Sequence, residues 1–242
     1  MKKASQKRRT RPADAQTRAA VDWLKRHGSK AARDGMARYG IQSDKAFGVS
    51  VSNIQTLGKR LGRSHALADA LWKTGWYEAR LLASYVDEPD RVTAAQMDRW
   101  CRDFDNWGVC DTVCFVLFDR TPHAWSKVEQ WSRRREEFMK RAAFALLWGL
   151  TVHDKNAGDD AFRRGLVLVE DCASDERHFV KKAVNMALRA IGKRNVALSF
   201  AAAAVARRLA ASDQDAARWA GKDALRELTS ASVVRRLAAR RR

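Results

Sequence analysis

Apolar residues recur at helical spacing in segment after segment of the chain, with charged and small polar residues on the intervening faces. The punctuation between segments is helix-capping chemistry, not hairpin turns. Thr93-Ala94-Ala95-Gln96 has the form of a capping box, and Thr121-Pro122 reads as an N-cap followed by proline at the first helical position. Ser212-Asp213-Gln214-Asp215 reads as a further start. Alternate helices beginning at Thr93, Arg134, Asp175 and Asp213 are 41, 41 and 38 residues apart. That spacing is close to the roughly 40-residue period of helical-pair solenoids. The pattern predicts an all-α solenoid of helical pairs, whose concave face is a natural groove for an extended ligand such as a duplex.

Composition supports helices. The 242 residues contain only 3 prolines and 13 glycines, and 46% hydrophobic with 9% aromatic content supplies a core and excludes a chain disordered throughout. Residues 2–11 carry six basic side chains and almost nothing apolar. They predict a flexible basic arm over 1–12, a single solenoid domain over 13–234 and a matching basic tail over 235–242.

Charge changes the picture more. Forty-seven Lys and Arg against 28 Asp and Glu give a net +19, an excess that points to a polyanionic partner, nucleic acid first. The charge is segregated. Residues 1–40 hold 12 basic and 3 acidic side chains, 176–195 hold 6 and 1, and 207–242 hold 10 and 4, whereas 78–120 hold 9 acidic against 5 basic. A localised binding surface is expected.

Other chemistries find little support. Cys101, Cys110, Cys114 and Cys172 form no C-x-x-C pair, and the five histidines are scattered, so neither a metal nor a cofactor is expected. The basic start lacks the apolar stretch of a signal peptide. Apolar runs such as 196–206 fall far short of the roughly 18 residues of a membrane span. The expectation is a monomer in a reducing cytoplasm, associated with the nucleoid.

Three segments place charge among apolar neighbours. On a helix over 107–118, Trp107, Asp111, Cys114 and Phe118 lie within about 60° of one another, which leaves a carboxylate that either pairs structurally or is held for work. Arg141 shares a face with Phe144, Ala145 and Trp148, and can either pair with Asp111 or reach a phosphate. From His178 to Arg194, Val180, Val184, Ala187, Leu188 and Ile191 occupy one side, and Lys182, Arg189 and Lys193 another, with Met186 on the boundary. Such a stripe is either a solvated face or a phosphate contact.

With these residues in view, the chain resembles the bacterial DNA alkylation repair family, the AlkD-like DNA glycosylases built from HEAT-like repeats. The resemblance runs through residues 47–54, 68–75, 78–80, 97–100 and 104–107, then 140–144, 179–185 and 187–195, over about four-fifths of the chain. The family pattern is a Trp four residues before an Asp, an Arg on a later helix, and a second Trp beyond it. Trp107, Asp111 and Arg141 match; the second Trp falls at Met186 and is missing, while Arg189 matches a basic position of the same helix.

The resemblance implies hydrolysis of the N-glycosidic bond of N3- or N7-alkylated purines in duplex DNA. Such bases are cationic and leave without a general acid. It implies that Asp111 stabilises the developing oxocarbenium charge and orients water, that Trp107 packs on the sugar, and that Arg141 holds the backbone. Lys182, Met186, Arg189 and Lys193 would face the DNA. A thioether at position 186 lacks the π face of an indole; a loss of about 1.4 to 2.7 kcal/mol would slow the enzyme roughly tenfold to a hundredfold. The alternatives are a non-catalytic relative that binds damaged or branched DNA and, less in keeping with Asp111 and Arg141, a protein scaffold.

Overall fold

The computed structural model describes residues 13–41 and 44–239, so the basic arm expected over 1–12 and the end of the tail, 240–242, lie outside it. Among the described residues there are fourteen α-helices and no strand, and the chain forms two compact units, Met1–Glu88 and Pro89–Arg242. No helix there is long and apolar enough to cross a membrane.

The first unit holds α1 (Ala13–Arg26), α2 (Lys30–Met36), α3 (Val51–Leu61), α4 (His65–Lys73) and α5 (Tyr77–Val86). Ser50 and Ser64 start α3 and α4, each accepting from the backbone N–H three residues on. Leu24, Ile54, Leu57, Leu71 and Leu82 are buried between α1, α3, α4 and α5. Glu78 is fully buried in the first turn of α5. Its carboxylate is held by the N–H groups of Phe47 (3.0 Å), Gly48 (2.6 Å) and Val49 (3.2 Å). Gly48 has a φ of 79°, and a Cβ there would collide with the Ser29 carbonyl oxygen, so only glycine presents this run of donors to Glu78.

The second unit holds α6 (Ala94–Arg102), α7 (Trp107–Val116), α8 (Ala124–Ser132), α9 (Glu137–His153), α10 (Asp159–Asp171), α11 (His178–Gly192), α12 (Val196–Ala210), α13 (Asp215–Leu228) and α14 (Ala231–Ala239). Thr93 caps α6 as its sequence predicts, accepting from Gln96 N at 3.1 Å. Thr121 does not start a helix. Its hydroxyl donates to the Phe118 carbonyl at 2.8 Å, closing a short 3-10 turn, and α8 begins only after His123. The third start is right in place but not in detail: Gln214, not Ser212, stands at the N-cap of α13. The first 41-residue interval contains three helices, α6 to α8, where the spacing implied a pair. Residues 235–239, read as the beginning of the tail, are helical.

From α7 onward the helices alternate between two layers. α7, α9, α11 and α13 pack in succession in one, and α8, α10 and α12 lie in the other. α9 is the spine, buried almost all round from Met139 to Thr151 against α7, α8 and α11. A side chain at Gly149 would not fit: its Cβ would stand 2.6 Å from Oδ2 of Asp119. This layer carries the site residues expected from the sequence, Trp107, Asp111, Arg141, Lys182, Met186 and Arg189.

Candidate nucleic-acid interface

Asn106 caps α7 through Val109 N at 2.9 Å, which sets Trp107 at the first helical position and Asp111 one turn further on, both half-buried. Arg141, on the first turns of the adjacent α9, grips Asp111 with both arms: Nε donates to Oδ1 at 2.9 Å and Nη2 to Oδ2 at 2.6 Å. Its remaining nitrogen, Nη1, donates to the Phe179 carbonyl at 2.7 Å, tying in α11. The alternatives left open for Arg141 thus resolve toward Asp111, and its fork of donors is taken up inside the protein. Cys114 and Phe118, on the same side of the chain, are buried core.

The electrostatics follow from this burial. Only 14% of the Asp111 side chain and 7% of the Arg141 side chain are exposed. Burial pushes the Asp111 carboxyl above its ordinary value against the pull of Arg141. Burial also works to lower the Arg141 guanidinium, but the Asp111 carboxylate outweighs it and raises the value. Each bond to Arg141 leaves carboxylate lone pairs directed elsewhere, so Asp111 can still face a developing positive charge.

The α11 stripe is divided among several partners. Lys182 is exposed, with its ammonium 4.6 Å from the ring centre of Trp219 on α13. Arg189 Nη1 and Lys193 Nζ each donate at 2.6 Å to one oxygen of Glu227, also on α13. Burial works to raise the Glu227 carboxyl, but Lys193 and Arg189 outweigh it and hold it below the ordinary range. Met186 is half-buried between Lys182 and Arg189.

A cleft of about 600 Å³ opens beside this stripe, lined by Met186, Trp148, Lys155, Arg189, Lys193, Arg194 and Arg236 among others. Arg194 donates to the carbonyls of Thr151 (3.0 Å), Asp154 (2.8 Å) and Ala157 (3.1 Å) at and just beyond the C-terminal end of α9. Behind the cleft Trp148 stacks on Phe115, ring centres 4.4 Å apart, and Phe115 also meets His153 at 4.5 Å. His153 Nδ1 lies 2.5 Å from Oδ2 of fully buried Asp119. Burial, opposed by His153, pushes the Asp119 carboxyl up to about 6.

The structure therefore brings Asp111 and Arg141 together and places Trp107 one turn away on α7, with Lys182, Met186, Arg189 and Lys193 along α11 in the same layer. Sequence reasoning missed Glu227. Its signal was the pair Asp223 and Glu227, four residues apart and so on one face of α13 within a basic stretch. It also missed the Asp119–His153 pair, which joins positions 34 apart and has no local signature.

An all-α, helical-repeat architecture here carries a basic row and a largely buried carboxylate in one layer. A family model described as DNA alkylation repair enzyme matches residues 21–228, and the chain belongs to that family. A solved structure is described as a new family of proteins related to the HEAT-like repeat DNA glycosylases with affinity for branched DNA structures. It matches with a TM-score of 0.72 at 19% identity, covering 87% of this chain and 94% of that one. The fold is accordingly HEAT-like. No curated protein matches the chain.

Proposed function

We propose that the protein hydrolyses the N-glycosidic bond of N3- or N7-alkylated purines in double-stranded DNA, acting as a monomer on chromosomal DNA in the cytoplasm without metal or cofactor. The observation that carries this reading is the Asp111–Arg141 pair, bidentate at 2.9 and 2.6 Å on the layer that also carries the basic stripe. An alkylated purine already bears positive charge, so its departure needs no proton. What it needs is an anion where the sugar becomes an oxocarbenium ion. Asp111 is that anion, and Arg141 is a positioning residue that fixes its rotamer. Trp107 covers the sugar from one turn before. Lys182, Arg189 and Lys193 hold the backbone, the last two by exchanging Glu227 for phosphate.

Met186, at the place of the family's second Trp, favours a second reading: a non-catalytic protein that binds distorted or branched DNA, the kind of ligand for which the similar solved structure is described. Release of 7-methylguanine from methylated duplex under single-turnover conditions separates the two. Release that is lost in Asp111→Asn and quickened in Met186→Trp supports the glycosylase. No release from any variant, with salt-sensitive DNA binding intact, establishes the binding protein.

A further inference from the structure

We propose that the cleft beside α11 is a subsite for one unstacked nucleotide of the DNA, its base laid on Trp148 and its phosphodiester held by Lys155 and Arg236. This rests on the DNA-binding part of the reading above and not on its chemistry.

The aromatic surface comes first. Trp148 leans on Phe115 at 4.4 Å with ring planes 28° apart, so its indole is fixed from behind while the residue lines the cleft. A pre-positioned ring binds a base with little ordering of its own, and every base has a π face to offer. Met186 lies in the same cleft and contributes a polarizable, adaptable edge.

The cations come second. Among the described residues no carboxylate lines the cleft. Of its basic groups, Arg194 is committed to three carbonyls, and Arg189 and Lys193 share Glu227. Lys155 and Arg236 are exposed and form no ion pair with the described residues, so a phosphate meets them without displacing a partner. A volume of about 600 Å³ accommodates a nucleotide.

The test compares anisotropy binding of a fully paired duplex with a duplex carrying a single-base bulge, using the full chain. Trp148→Leu is expected to lose about tenfold in affinity for the bulged duplex and almost nothing for the paired one, while Trp148→Phe keeps most of the preference. Lys155→Gln with Arg236→Gln is expected to reduce the slope of log affinity against log salt by about 2. Equal binding of both duplexes by the unaltered protein, or an unchanged bulge preference in a natively melting Trp148→Leu, overturns the proposal. Should Trp148→Leu fail to fold, tryptophan quenching by the bulged duplex decides: quenching reduced in Trp148→Phe supports the subsite, and undiminished quenching refutes it. Absence of base release with the bulge preference intact rejects the glycosylase and keeps the subsite. Base release without the preference rejects the subsite alone.

Discussion

Arg141 closes both oxygens of Asp111 in a planar fork, Nε to Oδ1 and Nη2 to Oδ2, while its third nitrogen anchors the first turn of α11 through Phe179. One guanidinium therefore spans three helices. Arg141→Ala leaves a largely buried carboxylate without its partner, and a loss of about 3 to 5 kcal/mol in urea unfolding is expected. Asp111→Asn combined with Arg141→Met removes both charges and should recover part of that loss. A double variant less stable than Arg141→Ala would show that the pair itself, not the stranded charge, dominates.

Glu227 accepts from Arg189 and Lys193, the two cations proposed to meet phosphate, and Arg189 also faces Asp223 at 3.9 Å. Glu227→Gln is expected to tighten duplex binding and to steepen its salt dependence by up to about 2 on the log–log plot. All three side chains are about a third exposed, so the expected change in stability is small, within about 1 kcal/mol. A weaker, salt-insensitive complex in this variant would place Arg189 and Lys193 away from the DNA.

Asp119 sets a pH dependence. Its folded value, near 6, lies above the ordinary 3.8, so between those values the native state binds more protons than the unfolded state. Stability then falls as pH rises through that window, by about 3 kcal/mol from this group. Thermal melts from pH 3.5 to 7 should show the decline in the unaltered protein relative to Asp119→Asn. Parallel curves for the two would remove Asp119 as its source.

In the first unit, Glu78→Gln replaces a carboxylate that takes three backbone donors with an amide that has one accepting oxygen and an NH₂ to place. An expected loss of about 2 to 3 kcal/mol should appear in denaturant unfolding. Gly48→Ala, which strains the same turn, should destabilise in the same direction.

Much of this was legible in one dimension. Helical periodicity and the Thr93 cap follow from local rules, and Trp107 with Asp111 share a face because they are four residues apart. Thr121 misled because its hydroxyl answers the preceding turn at Phe118, beside the Met97 sulfur at 3.5 Å, instead of opening the next helix. Arg141 could be placed on a face but not assigned a partner, since Asp111 is 30 positions away. Glu227 escaped for the same reason: what α13 presents to α11 depends on how two helices stack.

Arg194 donates to the Thr151 and Asp154 carbonyls at the C-terminal end of α9 and to the Ala157 carbonyl in the loop beyond it. An uncovered helix end of that polarity carries roughly half a negative charge and would repel a nucleic acid strand laid across it. With the guanidinium seated there, the partial negative charge of that helix end is offset beside the cleft, and its repulsion of a polyanion is weakened.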